Sequence, residues 1–350
     1  MKIEHVHFYV EDAKAWRDWF VSTLGFEVVD DYMLPPYPLD YENENHTCTQ
    51  VVKSGSICFV LSSPLLPNSP VAEFLCYHPP GVADVAFAVE NIQDIHERAL
   101  RYGAKILQPI SKYDWNGNYT QFSKIKAWGS LSHTLIETHL FSPNPKELPL
   151  VNIDHIVLNV PTGELENAVA WYEKILDFQP QQVFNIQTKN SGLHSRVMIS
   201  RCSGVQLPIN QPATHNSQIQ EFLDFNRGAG IQHIALGSSN LLETISLFRS
   251  RNLRFLVVPP SYYSQLVTRP GFPLSTSEID ALTQQEILVD WREDNPGALL
   301  LQIFTQPIFG QPTFFFEFIE RRNLAKGFGE GNFRALFEAI EREQLKRATQ

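Results

Sequence analysis

The sequence has little cysteine, little positive charge and no long apolar run. Its four cysteines stand far apart, so reduced thiols are expected rather than disulfides or a thiolate metal site. Basic residues number 28 against 38 acidic ones, and the net charge of −10 argues against nucleic acid as a partner. No stretch approaches the roughly 18 apolar residues of a membrane span, and the N-terminus does not resemble a signal peptide. The sequence therefore predicts a cytoplasmic protein with no nucleic-acid or membrane partner.

Apolar residues are plentiful, and their spacing predicts short strands that alternate with amphipathic helices. They make up 43% of the chain, which is enough for the cores of about two domains. Ile3–Val10 alternates like a half-buried strand, and Asp12–Leu24 has the period of a helix that Gly25 ends. A strand near Val151 and a helix over Glu164–Leu176 repeat this order.

Two landmarks give almost the same repeat length. Aligning His5 with His155 shifts the chain by 150 residues, and aligning Asp84 with His233 shifts it by 149. The pattern predicts an α+β fold of repeated βαβββ units in two curled half-barrel domains, which resembles the vicinal-oxygen-chelate (glyoxalase-like) superfamily. The predicted parts are a first half (1–142), a proline-rich linker (143–150), a second half (151–326) and a C-terminal lid helix (327–350).

Three residues of the second half, His155, His233 and Glu317, are candidate metal ligands. Each histidine lies in a predicted opening strand and is flanked by apolar residues, so it points either into a core or into a lined cavity. Two imidazoles and one carboxylate leave three positions open on an octahedral ion, as in non-haem Fe(II) oxygenases. Those positions can take a bidentate 2-oxo acid together with O2.

A structural explanation of the same residues is also open. The histidines can be core residues, and Glu317 can pair with Arg321 or Arg322. However, Glu317 stands among phenylalanines, where burying an unpaired carboxylate costs on the order of several kcal/mol that a metal would remove. The metal interpretation is therefore preferred.

The first half carries a degenerate copy of this set. His5 and Asp84 align with the two histidines, and Glu137 corresponds to Glu317 if the second half contains an insertion. We expect this copy to act as scaffold and subunit contact in a homo-oligomer, a dimer or tetramer, rather than as a second metal site.

The run Gln311–Glu341, together with NIDHIVLNV and GIQHIALG, resembles the 4-hydroxyphenylpyruvate dioxygenase family, and the similarity spans essentially the whole chain. The iron ligands of that family fall on the same three residues that the repeat indicated. The resemblance implies one Fe(II) per chain without 2-oxoglutarate. It also implies 4-hydroxyphenylpyruvate and O2 as substrates and homogentisate and CO2 as products.

The resemblance extends to side chains around the substrate. Uncharged polar residues would orient the phenol and the reacting groups, namely Ser195, Asn210, Gln218, Gln232 and Gln302. Aromatic residues would clamp the ring, namely Phe304, Phe315, Phe328 and Phe333. Glu320 departs from the family pattern, in which glutamine is commoner at that position.

The glycine-rich turn GFGEG precedes a predicted amphipathic helix over Asn332–Arg342. Its glycines would let that helix hinge over the cavity as a lid that keeps bulk water out. Two alternative functions remain open. Hydroxymandelate synthase shares the fold, ligands and substrate, and a metal-free ligand-binding protein of the same superfamily would need no ligand set.

Overall fold

A computed structural model describes residues 1–29, 46–115, 118–138, 149–187, 192–310 and 312–332. In the first half these residues form β1 (Lys2–Tyr9), α1 (Ala13–Trp19), β2 (Glu27–Val28), β3 (Thr47–Ser54), β4 (Ile57–Pro64), α2 (Pro70–Tyr77), β5 (Gly81–Ala88), α3 (Ile92–Arg101), β6 (Ile106–Trp115), β7 (Asn118–Lys126) and β8 (Ser132–Thr138). They are two βαβββ units joined by α2.

The second half repeats this order with one addition. Its elements are β9 (Leu150–Asn159), α4 (Leu165–Leu176), β10 (Phe178–Gln187), β11 (Gly192–Ser200), β12 (Gln206–Pro212), α5 (Gln218–Asn226), β13 (Gly230–Ser238), α6 (Leu241–Ser250), α7 (Pro260–Leu266), α8 (Thr276–Gln284), β14 (Leu288–Arg292), β15 (Asn295–Phe304) and β16 (Phe315–Arg321). Helices α7 and α8 are the predicted insertion, because only residues 102–105 separate α3 from β6 in the first half.

The strands form two mixed eight-stranded sheets with matching orders, β2-β3-β4-β1-β5-β8-β7-β6 and β10-β11-β12-β9-β13-β16-β15-β14. In each sheet the opening strands of the two units pair antiparallel at the centre. The closing strand of the second unit then runs parallel beside its own opening strand. This arrangement confirms the predicted α+β fold of repeated βαβββ units.

Local signals place the first helix where the sequence predicted it. The side chain of Asp12 accepts hydrogen bonds from the backbone N–H groups of Lys14 and Ala15 at the start of α1. The helical run ends at Gly25, whose φ of 74° is the left-handed conformation that glycine adopts without strain.

The two halves share one apolar core. Phe8 of β1 packs against Phe314 with ring centroids 5.3 Å apart, and Phe59 of β4 stacks on Phe316 of β16 at 5.8 Å. Most of the predicted linker lies outside the described residues, and its last residue, Leu150, already belongs to β9. The predicted domain boundaries therefore stay a prediction.

Three further expectations can be compared with the described residues. The four cysteines are free thiols, as predicted. Among the helices described, none is long and apolar enough to cross a membrane. Residues 330–332 are already helical, two residues before the predicted start of the lid helix, whereas the rest of that helix and Phe333 lie outside the described residues.

Candidate metal centre

The structure brings His155, His233 and Glu317 together on three adjacent strands, β9, β13 and β16. One ligand atom from each residue lies within 4.8 Å of the other two. Oε2 of Glu317 is 3.2 Å from Nε2 of His155 and 3.6 Å from Nε2 of His233. All three residues are buried, so the set is a compact group of two imidazole nitrogens and one carboxylate oxygen at the middle of the sheet.

The orientation of His155 depends on a bulge in β9. Ile153 pairs with Leu236 and His155 pairs with Ala235, so Asp154 has no partner across the strand pair. A bulge can re-aim a side chain in this way, and Nδ1 of His155 lies 2.9 Å from Oδ1 of Asp154. Because Nδ1 donates its proton to that carboxylate, Nε2 is the ring nitrogen that faces Glu317 and would bind a metal once it releases its own proton.

Arg321 holds Asp154 in turn. Its guanidinium donates two hydrogen bonds to the Asp154 carboxylate, at 2.6 and 2.7 Å. Arg322 instead pairs with Glu320 at 2.6 Å. The two arginines that were candidate partners of Glu317 therefore have other carboxylate partners, and Glu317 faces the histidines.

The charge balance of the centre favours a bound cation. Burial lowers the pKa of His155, but the carboxylates of Glu317 and Asp154 outweigh it and raise that pKa to about 9. Burial, and then the neighbouring His155, lower the pKa of His233 well below its usual range. A single divalent transition metal fits this set of ligands. It would bind the neutral imidazole of His233, Nε2 of His155 and the carboxylate oxygen of Glu317.

Glu317 offers only one oxygen to such an ion. Its other oxygen, Oε1, accepts a hydrogen bond of 2.8 Å from Nε2 of Gln302. Oxygen Oε2 is the atom that lies beside both histidines. With three protein atoms supplied, an octahedral ion would keep three positions open, as the sequence predicted.

The predicted substrate contacts within the described residues line one cavity beside this centre. They are Ser195, Asn210, Gln218, Gln232, Gln302, Phe304, Phe315 and Phe328. Phe315 stacks on His233 with centroids 4.8 Å apart, and Phe328 lies edge-on to His155 at 5.2 Å. The cavity is thus an apolar slot with a few uncharged amides, which suits an aromatic ligand that carries a hydroxyl group.

A second bulge explains how two consecutive residues face this cavity. Ile231 pairs with Leu158 and His233 pairs with Val157, so Gln232 has no partner in the ladder. Gln232 and His233 therefore both line the cavity, although strict alternation would send them to opposite faces. Nε2 of Gln232 donates to Oε1 of Gln218 at 3.0 Å, which links two of the predicted amides.

Residues that were not predicted complete the centre. Asp154 and Arg321 orient His155, and Asn332 lines the cavity and donates to Oε1 of Gln302 at 2.9 Å. Asp154 directly precedes a predicted ligand, which is the only sequence signal for it. Nothing in a single sequence indicates the bulge that turns it toward His155.

The degenerate copy in the first half is not built as predicted. Asp84 pairs with Ser132 in the same register in which His233 pairs with Phe315, so Thr134 corresponds to Glu317. The predicted match of Glu137 with Glu317 is therefore wrong, because Glu137 corresponds to Glu320. Both of these glutamates accept a backbone N–H at a helix start, from Ile92 of α3 and from Leu241 of α6 respectively.

Asp84 has partners of its own at this position. It accepts hydrogen bonds from the hydroxyl of Ser132 at 2.5 Å and from the backbone N–H of Thr134 at 3.2 Å, and Nζ of Lys124 lies 3.5 Å away. Within the described ranges, no second trio of histidine, cysteine or acidic side chains gathers its ligand atoms as the second half does.

Acid should destabilise the protein through three histidines of the first half. Burial lowers the pKa of His5 and His133 from 6.5 to about 4, and that of His7 to about 3. Between these values the unfolded chain binds protons that the folded chain excludes, so stability falls with pH by up to about 1.4 kcal/mol per unit for each histidine. Urea unfolding between pH 7 and 5 measures this slope. In a His133→Phe variant the slope should correspond to about one proton fewer taken up on unfolding. An unchanged slope would contradict the lowered pKa of His133.

Removing Asp154 should weaken metal binding but not abolish it, because the three metal ligands stay in place. An Asp154→Ala change leaves Nδ1 of His155 without its acceptor, so the ring loses its fixed tautomer. Losses of this kind typically cost about 10–100-fold in metal affinity. Titration of the metal-free protein with Co(II) measures the change, and wild-type affinity in the variant would show that Asp154 does not orient the ligand.

Comparisons with known proteins agree with this geometry. The family model of the Glyoxalase/Bleomycin resistance protein/Dioxygenase superfamily matches residues 2–126 and 152–269. A 4-hydroxyphenylpyruvate dioxygenase from Caenorhabditis briggsae is 37% identical over 98% of this chain and 92% of its own. One from Dictyostelium discoideum is 36% identical over 98% of each chain, and an uncharacterized protein of Synechocystis is 33% identical over 97% of each. A solved triple mutant of 4-hydroxymandelate synthase from Streptomyces coelicolor has a TM-score of 0.85, 26% identity and 98% coverage of both chains.

Proposed function

The chain belongs to the 4-hydroxyphenylpyruvate dioxygenase family, and on that premise we propose that it converts 4-hydroxyphenylpyruvate and O2 into homogentisate and CO2. One Fe(II) per chain would be held by His155, His233 and Glu317. The observation that carries the proposal is that this ligand set opens directly into an apolar, amide-bearing cavity.

Bound iron would supply the redox chemistry that couples reduction of O2 to loss of CO2 from the 2-oxo acid. The protein groups bind and orient. Phe304 and Phe315 pack edge-to-face on each other and both contact His233, so a substrate ring that packs against them is held close to the ligand set. Because the substrate carries its own 2-oxo acid, no 2-oxoglutarate is required.

The amides that line the cavity are uncharged hydrogen-bonding groups. Gln218, Gln232 and Asn210 can accept or donate to a phenol without ionising it. Nδ2 of Asn210 donates to Oδ1 of Asn159 at 3.4 Å, so the side-chain oxygen of Asn210 points away from Asn159. We propose that these amides bind the ring hydroxyl of the substrate.

Hydroxymandelate synthesis is the second candidate function, because the fold matches that of a 4-hydroxymandelate synthase. The identity of the product decides between the two functions. Homogentisate and 4-hydroxymandelate are isomers, so mass alone cannot separate them. Metal-free protein should be reconstituted with Fe(II) and ascorbate, incubated with 4-hydroxyphenylpyruvate, and its product separated by chromatography beside both standards. A Zn(II)-loaded sample is the control.

We expect homogentisate and CO2 in equal amounts, each matching the O2 consumed. A 4-hydroxymandelate peak would establish the second candidate. Tight substrate binding with no O2 uptake even after reconstitution with Fe(II) would indicate a metal-free binding protein instead.

We also propose a homo-oligomer, a dimer or tetramer whose contact is formed by the first half. The first half has no cluster of ligand atoms like that of the second within its described residues, which leaves it free for a scaffolding role. Light scattering on the purified protein measures the mass, and a monomer would exclude this part of the proposal.

A further inference from the structure

The insertion that distinguishes the fourth βαβββ unit reaches the metal centre through hydrogen bonds. Tyr262 lies on its helix α7, outside the cavity. The hydroxyl of Tyr262 accepts from the backbone N–H of Val289 at 2.8 Å, and its own proton has two acceptors within reach, Oδ1 of Asn332 at 2.7 Å and the carbonyl of Val289 at 3.0 Å. Burial raises the pKa of Tyr262, so the hydroxyl keeps its proton, and Asn332 is the nearer of the two acceptors.

A chain of hydrogen bonds continues from Asn332 to the carboxylate of Glu317, each residue donating to the next. Nδ2 of Asn332 donates to Oε1 of Gln302 at 2.9 Å. Nε2 of Gln302 donates to Oε1 of Glu317 at 2.8 Å and to the carbonyl of Phe328 at 3.0 Å. Because each amide has its oxygen fixed by the preceding donor, a flip would break two hydrogen bonds of Asn332 or three of Gln302.

The members of this chain nearest the metal centre are almost fully buried. Asn332 is 1% exposed, and Gln302 and Glu317 are each 2% exposed. At such low exposure, water cannot replace a lost partner readily, and aligned hydrogen bonds strengthen one another. The Gln302 amide therefore donates to the Glu317 carboxylate. This role differs from the substrate contact that the family resemblance implied.

Other contacts hold the backbone that carries Asn332. Oδ2 of Asp290 accepts from the N–H of Gly331 at 3.0 Å, while Oδ1 of Asp290 accepts from Arg269 at 2.8 Å. Arg321, which also holds Asp154, donates to the carbonyl of Gly327 at 2.9 Å. Residues 327–332 are therefore fixed at both ends against the sheet.

We propose that Tyr262 and Asn332 are positioning residues which, through Gln302, make Glu317 bind the metal with one oxygen only. The geometry supplies the reason: Oε1 is occupied by Gln302, while Oε2 alone faces both histidines. A carboxylate that turned to bind with both oxygens would fill one of the three positions that the 2-oxo acid and O2 need. This inference rests on the proposed function for what those positions bind.

A single-atom change tests the chain at its far end. Tyr262→Phe removes the hydroxyl that orients Asn332 and touches no cavity residue other than Asn332. Tyr263→Phe is the matched control, because Tyr263 is the next residue of α7 and its hydroxyl donates to the carbonyl of Ile287 at 3.1 Å, away from the metal centre. Both changes remove one hydroxyl group from α7.

The readouts are the visible absorption of the Co(II)-loaded protein, which responds to coordination number, and the steady-state constants with Fe(II). We expect Tyr262→Phe to change the Co(II) spectrum and to lower kcat about three- to tenfold, the effect of one net hydrogen bond. KM for 4-hydroxyphenylpyruvate and the Co(II) affinity should stay within about twofold, because no ligand or ring contact is lost. Tyr263→Phe should leave the spectrum and kcat at wild-type values.

A wild-type spectrum and kcat in Tyr262→Phe would overturn the proposal, as would equal changes in the two variants. Should Tyr262→Phe fail to fold, Asn332→Leu breaks the same chain one step nearer Glu317 and must give the same spectral change. If the wild-type protein forms no homogentisate, the proposed function fails. The Co(II) spectra would still report whether Tyr262 controls the coordination of Glu317.

Discussion

Replacing Glu317 with alanine is expected to abolish homogentisate formation and to lower iron occupancy. The change removes the carboxylate oxygen that lies beside the Nε2 atoms of His155 and His233. Two imidazoles alone bind Fe(II) weakly, and the buried site then lacks the negative charge that balances the cation. The loss of affinity should exceed the about 10–100-fold that removal of an outer partner costs. Iron content after gel filtration and product yield measure both effects.

Two controls separate the ligand from its surroundings. Glu320→Ala lies on the same strand, and its carboxylate caps α6 instead of facing the cavity, so it should cost about 1 kcal/mol of stability and leave iron content unchanged. His5→Ala, in the degenerate copy, should also leave the metal stoichiometry unchanged. Full activity in Glu317→Ala, or equal iron loss in Glu320→Ala, would exclude Glu317 as the ligand.

The ligand set could be predicted because it depends on features that a sequence carries directly. The repeat placed His155 and His233 at equivalent points of two opening strands, and their antiparallel pairing at the centre of the sheet brings them together. Glu317 lies on the strand beside β13, so the same β-ladder delivers the third atom. Length, spacing and alternation are sufficient for this much.

The bulges at Asp154 and Gln232 could not be predicted, because a bulge changes the face of a side chain without changing the residue pattern. The same limit explains the wrong match of Glu137. Glu317 and Glu320 are three residues apart on one strand, so they point to opposite faces, and only the strand register shows which one Glu137 matches. The chain through Asn332 depends on contacts between elements about 70 residues apart, which no local pattern encodes.

Gly329→Ala is expected to lower kcat by about 100-fold, the effect that a displacement of about 1 Å near the reacting groups can have. The backbone of Gly329 has a φ of 76°, and a β-carbon placed there would lie only 1.8 Å from Oε1 of Gln302. That contact is impossible, so either Gln302 leaves Glu317 or residues 327–332 move away from the cavity. The first outcome breaks the hydrogen bond that holds Oε1 of Glu317, and the second breaks the hydrogen bonds by which Phe328 and Asn332 hold Gln302.

Gly103→Ala is a matched control for the strain that a β-carbon adds to a left-handed backbone. Gly103 has a φ of 73°, and a β-carbon there would meet nothing within 4 Å. Each alanine should therefore cost about 1 kcal/mol in urea unfolding from backbone strain alone, but only Gly329→Ala should lose kcat and alter the Co(II) spectrum. If the two variants were equally active, the close approach of residues 327–332 to Gln302 would have no part in catalysis. Gln302 belongs both to this close approach and to the series of hydrogen bonds from Tyr262 to Glu317. Equal activity would therefore mean that the series of hydrogen bonds acts without the close approach of Gly329 to Gln302.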